Sequence, residues 1–224
     1  AVPLVKKVKS YPETSIEELQ IPRNTQQEGW DFIAEDLDKA IELLPEESLM
    51  RGRVNKYVAY GLKSRAMLYA ASLCLFDTPV SGYEELLGMP ASKAQSYYQA
   101  AYDAASKLDG KYSLYNKHTD KFENYWNLFL DEDNPEVIFA KYYQYPDKTH
   151  SWDVHQVPFQ VRGPEGYSSI LNPTLEIVEL FDDINGNPFV LKTTDTNGNP
   201  IRYDNPYDIF KDVEPRLRGS VILP

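Results

Sequence analysis

The stretch GRVNKYVAYGLKSRAMLYAAS, which runs from position 52 to position 72, decides the fold class. Its apolar residues recur every three or four positions, a spacing that predicts a helix from about Val54 to Leu75. Ala59, Ala66 and Ala70 would let a neighbouring helix approach closely. Since few charges interrupt the segment, we expect it to be packed on more than one side. The predicted apolar stripe comprises Val58, Leu62, Ala66, Tyr69 and Leu73.

A second amphipathic helix is predicted from Asn24 to Leu44, before this stretch. Thr25 and Glu28 have the spacing of a capping box, in which each side chain satisfies a backbone N–H that has no partner within the helix. Pro45 then ends the helix. Its predicted buried face comprises Trp30, Ile33, Leu37, Ala40, Ile41 and Leu44.

A third helix is predicted to begin at Ser92, with a capping box to Gln95, and to stop near Gly110. Its predicted buried face comprises Tyr98, Ala101, Ala105 and Leu108.

The spacing of Ile33, Leu37, Ala40 and Pro45 repeats the rhythm of the second helix of a tetratricopeptide unit. The other two predicted helices would form a further unit of this kind, with an unusually long connection. Unrelated antiparallel helices are the alternative.

The predicted fold class is therefore mainly α. Residues 1–112 would form a tetratricopeptide-like helical scaffold, and residues 113–224 a loop-rich segment of the same domain. That second segment should contain a strand from Val137 to Tyr143 and one short helix, with Asn172 as its cap and Pro173 in its first position. Asn-Gly pairs at 185–186 and 197–198 predict hairpin turns in preference to calcium loops.

The composition limits the classes of partner. The net charge of −11 and the lack of a basic stripe argue, on electrostatic grounds, against nucleic acid and anionic lipid as partners. The sequence contains no run of about 20 apolar residues, the length that is needed to cross a bilayer. The 17 Tyr, 9 Phe, 3 Trp and 16 Pro residues instead favour exposed binding surface and long ordered loops.

Motifs for metal binding and catalysis are weak. Cys74 lies in an apolar helical stretch, where we expect a buried and inert thiol. His150 and His155 flank Asp153 without zinc-site spacing, so hydrogen bonding within a loop is the preferred interpretation. There is no nucleophile elbow, phosphate loop or dinucleotide fingerprint. We predict neither cofactor nor enzymatic activity, although a carboxylate pair for glycoside cleavage stays an alternative.

Aromatic residues crowd the stretch AKYYQYPDKTHSWDVHQVPF, from Ala140 to Phe159. Flat rings that are apolar on the face and polar at the edge suit the flat faces of sugar rings, and polar neighbours would set the orientation. The alternative is that the tyrosines of the predicted strand pack against the helices. Trp152 follows a polar sequence, so we expect it to be exposed.

An ordered series of motifs, which covers nearly the whole chain from Glu28 onward, resembles the SusD/RagB family. The Gly-Arg before the central helix and that helix itself are similar to the family's AxxALKARxxLYAAS segment. The other matching stretches are EGWDFIAEDLDKAIELLP, YYQAAYDAASKLDGKYSLY, NPEVIFAKYY, LNPTLEIVELFDDINGNP and YDNPYDIFKDVEPRLRGSVILP.

The resemblance implies a non-catalytic lipoprotein on the surface of the bacterial outer membrane. Such a protein captures oligosaccharide or polysaccharide, or in some members peptide, and delivers it to a SusC-like TonB-dependent transporter. Family members are about twice as long. We therefore expect a piece of a longer protein, without the N-terminal lipid-bearing Cys that would anchor it to the membrane, the first helix pair and the C-terminal portion.

The types of side chain in and near this aromatic stretch predict the ligand-binding residues. Trp152 would be the stacking platform, flanked by the rings of Tyr143, Tyr145 and Tyr83. Asp153, His155 and Arg162 would supply hydrogen bonds. The alternative function is a tetratricopeptide-like module that binds proteins or peptides without binding sugar.

Overall fold

The computed structural model describes residues 1–132, 134–157 and 170–221, and these are mainly helical. The chain divides into two compact units. The first contains Ala1–Ser113 and Val137–Lys141, and the second contains Leu114–Glu136 and Tyr142–Pro224. None of the helices in the described part is long and apolar enough to cross a membrane.

The first unit is built from helices, and three of them lie where the sequence predicts helices. The elements are α1 (Ile16–Leu19), α2 (Gln26–Leu43), α3 (Lys56–Phe76), α4 (Glu84–Leu87) and α5 (Ala94–Ser106), with a 3₁₀ turn (Ala91–Lys93) before α5.

Side-chain caps fix where the long helices begin. The predicted capping box of α2 is confirmed, since Thr25 Oγ1 accepts from the Glu28 N–H at 3.1 Å and the Glu28 carboxylate accepts from the Thr25 N–H at 2.8 Å. Asn55 caps α3 by accepting from the Val58 N–H at 3.0 Å. The capping box predicted at Ser92 is wrong, because Ser92 lies inside the 3₁₀ turn and α5 begins only at Ala94.

Helix α3 packs against both α2 and α5, as its low charge predicts. The predicted stripe is wrong in part, however, because Leu62 and Tyr69 are exposed. Small residues form the contact instead, since only they allow the helices to approach closely enough to exclude water. The buried core comprises Met67, Ala70, Ala71 and Cys74 of α3 with Ala94, Tyr97 and Ala101 of α5.

The face of α5 is rotated relative to the prediction. Ala101 is buried as expected, but Ala105 is exposed, and Tyr98 and Leu108 are only half-buried. Tyr97 lies in the core because its hydroxyl finds a partner there, donating to the Asp31 carboxylate of α2 at 2.6 Å. Burial, reinforced by this carboxylate, raises the pKa of Tyr97.

Cys74 is buried, as predicted, and burial raises the pKa of its thiol. A thiol with a raised pKa is a poor nucleophile at neutral pH.

The second unit contains more helix than the sequence analysis predicts. The expectation of one short helix is wrong: the unit contains α6 (Lys121–Leu130), α7 (Trp152–Gln156), α8 (Leu175–Glu179), α9 (Pro215–Ser220) and a 3₁₀ helix (Pro206–Phe210). Helix α8 begins at Leu175 with Thr174 in the N-cap position, two residues later than predicted.

Helix α6 packs on α9. Asp120 caps α6 by accepting from the Glu123 N–H at 2.8 Å. The Arg218 guanidinium of α9 lies 4.7 Å from the centre of the Phe122 ring. Gly219 allows the close approach, because a Cβ at this position would lie 2.5 Å from Cδ1 of Tyr125.

The strand predicted from Val137 to Tyr143 is wrong. In the described residues this segment forms no β-ladder with another strand. The nearest β-pairing follows it, as an isolated antiparallel bridge between Gln144 and Lys148. A strand needs a partner strand, and here the side chains find helices instead: Ile138 packs within 4 Å of the Cβ position of Gly61.

A small core holds the C-terminal part of the second unit together. It comprises Val178, Phe189, Val213 and Leu217. The turn that follows α8 is tied to this core by the Ile184 N–H, which donates to the Asp212 carbonyl at 2.7 Å, and by the Glu214 N–H, which donates to the Asp182 carbonyl at 3.0 Å.

A polar network joins the beginning of the second unit to the end of α6. The buried Tyr115 donates its hydroxyl to the Asp131 carboxylate at 2.6 Å, and Lys117 forms an ion pair with the same carboxylate at 2.8 Å. Lys117 and Tyr115 hold the pKa of Asp131 below its usual value, and burial raises the pKa of Tyr115 to about 12.

We expect replacement of Met67 by Ala to destabilise the chain much more than the same replacement of its neighbour Leu68. Met67 is 1% exposed and Leu68 is 52% exposed. A cavity in the core costs about 2–5 kcal/mol, whereas a surface truncation should cost less than about 1 kcal/mol. Urea denaturation of both variants measures the difference, and equal losses would contradict the packing of α3.

The Tyr115 network should stabilise the chain between two pH limits. A lowered carboxyl pKa gives stability that is lost as the pH falls below about 4, and a raised phenol pKa gives stability that is lost as the pH rises above about 10. The stability difference between the wild type and Tyr115→Phe should therefore be largest near neutrality and shrink at both extremes.

Free energies of unfolding, measured from about pH 3 to pH 11, test this expectation. Tyr102→Phe alters an exposed tyrosine of α5 and serves as the control, for which the difference should stay flat. A difference for Tyr115→Phe that does not change with pH would contradict the role of the network.

Candidate functional site

The predicted aromatic site lies on a tight turn of the second unit, which we call the aromatic turn (residues 143–152). Gln144 and Lys148 close it with two reciprocal backbone hydrogen bonds of 2.8 Å each. Between them, Tyr145 is 87% exposed at the tip. The turn therefore holds a tyrosine ring in water on a short, hydrogen-bonded backbone.

His150 links the ring of Tyr143 to the start of α7. Its imidazole contacts the ring of Tyr143 edge to face, with centroids 4.6 Å apart and planes at 89°. Its Nδ1 accepts from the Trp152 N–H at 3.2 Å. His150 thus hydrogen-bonds within its own segment, as the sequence predicts, and it positions Tyr143 relative to the start of α7.

Trp152 is the first residue of α7 and is 62% exposed, as the sequence predicts. The predicted loop at this position is instead a short helix, in which the His155 N–H donates to the Ser151 carbonyl at 3.2 Å. An indole on the first turn of a helix has a fixed backbone beneath it. Its ring can therefore offer a flat apolar face to a ligand with little loss of conformational entropy.

The far end of α7 is anchored by backbone hydrogen bonds from residues 170 and 171. The carbonyl of His155 accepts from the Ile170 N–H at 3.2 Å, and Gln156 Oε1 accepts from the Leu171 N–H at 3.3 Å. His155 is half-buried. These contacts hold the C-terminal end of α7 in place, and the hydrogen bond from the Trp152 N–H to His150 holds its start.

The structure brings together only part of the predicted set. Tyr143, Tyr145, Trp152 and His155 share one segment of the second unit, whereas Tyr83 belongs to the first unit, where it is exposed in the N-cap position of α4. Asp153 lies within α7, but its side chain is outside the described part of the structure. Arg162 and Phe159 also lie outside the described residues.

Both Asn-Gly pairs form hairpin-type turns, as predicted. Each turn closes a single antiparallel bridge, Asp182 to Pro188 and Thr194 to Pro200, and each glycine adopts positive φ (81° for Gly186 and 83° for Gly198). The sequence D-x-N-G-N-P occurs in both turns, and the geometry repeats with it.

The aspartate that begins each turn is engaged by the turn itself. Asp183 Oδ1 accepts from the N–H groups of Asn185 and Asn187 at 2.8 and 2.9 Å, and Asp195 does the same with Asn197 and Asn199. These donors, led by the backbone N–H of Asn187 or Asn199, hold the pKa of each carboxyl below its usual value. The described residues contain no cluster of three or more His, Cys, Asp or Glu arranged for a metal ion.

A second site, which the sequence analysis misses, is a cleft of about 650 Å³ between the first Asn-Gly turn and the 3₁₀ helix. We call it the turn–helix cleft. Two lysines, Lys192 and Lys211, and three aspartates, Asp183, Asp208 and Asp212, line it together with Tyr203 and several apolar side chains. Since these residues come from separate loops, no local sequence pattern marks them.

No family model, no curated protein and no solved structure matches the chain.

We expect Trp152 to be the most solvent-accessible of the three tryptophans. Trp30 is half-buried against the core of the first unit, and Trp126 is 44% exposed. Replacing Trp152 by Phe should therefore lower the slope of acrylamide quenching of tryptophan fluorescence, whereas Trp30→Phe should leave the slope unchanged or raise it. An unchanged slope in Trp152→Phe would show that the indole is covered.

Proposed function

We propose that the chain is the glycan-capturing part of a SusD/RagB-type protein, which binds oligosaccharide and passes it to a SusC-like TonB-dependent transporter. The observation that supports this proposal is the aromatic turn, where Tyr145 and Trp152 are both largely exposed on hydrogen-bonded backbone.

Exposed rings of this kind suit carbohydrate for a physical reason. The C–H groups on one face of a sugar are apolar and pack on a ring, while the hydroxyl groups at the edge need hydrogen bonds. The aromatic turn offers the rings, and the Tyr145 hydroxyl and the His150 imidazole are polar groups within the same segment. His150 already fixes Tyr143 and the start of α7. These groups therefore lose little conformational entropy when a ligand binds.

The scaffold and the location belong to the same proposal. Helices α2, α3 and α5 occupy the stretches whose spacing predicts tetratricopeptide-like pairs, and we propose that arrangement for them. The outer-membrane location, the lipid anchor and the transporter partner are supported by the ordered motifs of the sequence alone.

The proposed role is binding without cleavage. A glycosidase would need two carboxylates facing each other across the bound sugar, about 5 Å or 6.5–9.5 Å apart. Incubation of the chain with each glycan that it binds, followed by an assay for new reducing ends, separates the two activities. New reducing ends would replace this proposal with a hydrolase.

We expect Trp152→Ala to weaken binding of the best glycan in an oligosaccharide panel. By analogy with stacking of bases on aromatic side chains, loss of one platform ring costs about 1–3 kcal/mol, which corresponds to about 5- to 150-fold in Kd. Isothermal titration calorimetry of the parent chain and the variant measures the change.

Tyr102→Ala is the matched control, because it removes an equally exposed ring from α5 and should leave Kd unchanged. Equal affinity of Trp152→Ala and the parent would remove Trp152 from the site. If the parent bound no glycan, the alternative of a protein- or peptide-binding module would take precedence, and the exposed Leu62, Leu68 and Tyr69 of α3 would be its first candidate surface.

A further inference from the structure

The turn–helix cleft has the size and the lining of a small-molecule site. Its volume of about 650 Å³ lies within the usual range for ligand pockets, about 300–1,000 Å³. Apolar side chains form part of the wall, and charged groups of both signs are set among them. None of these lining residues belongs to the aromatic turn.

The charged side chains of the cleft form no ion pairs with one another in the described residues. Within the described residues, the ammonium groups of Lys192 and Lys211 form no ion pair, and the carboxylates of Asp208 and Asp212 accept no side-chain or backbone hydrogen bond. Asp183, the third carboxylate, is already occupied by the donors of its own turn. All four side chains are exposed, so two cations and two anions are open to a ligand that enters the cleft.

The balance of charge selects the chemistry of that ligand. A purely anionic ligand would meet the lysines but also two uncompensated carboxylates, and a purely cationic ligand would meet the reverse. A zwitterion can pair its carboxylate with a lysine and its ammonium group with an aspartate, so that each of its charges finds an attractive partner.

The walls of the cleft are held in place before any ligand arrives. The Tyr203 hydroxyl donates to the Lys192 carbonyl at 2.8 Å, and the Ile184 N–H donates to the Asp212 carbonyl at 2.7 Å. Phe189, which lines the cleft, belongs to the core of the unit and contacts the ring of Phe210. A site whose backbone is fixed in this way loses little entropy on binding.

The cleft also offers apolar surface that the fold leaves exposed. Ile184 and Val190 line it and are each 66% exposed. An apolar group of the ligand would cover them and remove that area from water.

We infer that the turn–helix cleft binds a small zwitterion with an apolar body, of the chemical class of an apolar amino acid or a dipeptide. This site is separate from the aromatic turn and does not depend on glycan capture.

Calorimetry with the dipeptide leucyl-leucine tests the inference. The parent chain should bind the free dipeptide, and the N-acetylated, C-amidated dipeptide should bind at least about tenfold more weakly because it has lost both charges. Lys192→Gln/Lys211→Gln and Asp208→Asn/Asp212→Asn should each weaken binding of the free dipeptide by about tenfold or more.

Matched controls separate the cleft from general charge effects and from the glycan site. Lys121→Gln and Asp204→Asn alter exposed charges of the same unit outside the cleft and should leave the dipeptide Kd unchanged. Trp152→Ala should also leave it unchanged, so that failure of glycan binding and failure of the cleft are distinguishable. Circular dichroism of each variant checks that the helices persist.

Four outcomes would overturn the inference. The capped and free dipeptides could bind equally, the double variants could bind like the parent, or the parent could bind neither leucine nor the dipeptide at concentrations up to about 10 mM, where even a Kd of about 1 mM would be visible. If the parent bound the neutral sugar maltotriose and the cleft double variants weakened that binding, the cleft would be reassigned to polyols.

Discussion

Close approach between α3 and α5 is the constraint on which the first unit depends. Alanines at 70, 71 and 101 keep the two helix backbones near each other, so that Met67 and Tyr97 fill the remaining space. Dense packing of this kind tolerates neither larger side chains nor cavities. It also leaves the large apolar side chains Leu62 and Tyr69 outside, available for other contacts.

The second unit uses hydrogen bonds where the first uses close packing. Its core is small, and much of its chain is turn. Tyr115 and Asp131 fix the approach to α6, and Asp183 fixes the turn after α8. Asp183 accepts from backbone N–H groups that a sheet would otherwise satisfy, whereas Asp131 accepts from side-chain donors. Both candidate binding sites of this unit therefore rest on a backbone that is defined by polar contacts.

Local signals in the sequence were sufficient for part of this structure. The capping box at Thr25, the helical spacing of α2 and α3, the burial of Cys74, both Asn-Gly turns and the exposure of Trp152 are all predictable, because neighbouring residues determine them. Helix α6 could also have been found from Asp120 and the spacing of Phe122, Tyr125 and Phe129. The rest depends on tertiary contacts. Nothing local shows that Ile138 packs against a helix instead of joining a ladder, or that Lys192 and Asp212 line one cleft.

The paired Asn-Gly turns have a chemical consequence for the lifetime of the protein. Asparagine followed by glycine readily forms a succinimide, because the unhindered glycine nitrogen attacks the side-chain amide. In both turns that nitrogen is engaged, since the N–H of Gly186 donates to the Asp183 carbonyl and the N–H of Gly198 to the Asp195 carbonyl, each at 3.0 Å. The fold thus restrains the atom that would begin deamidation, and it thereby keeps a new negative charge from arising beside an aspartate.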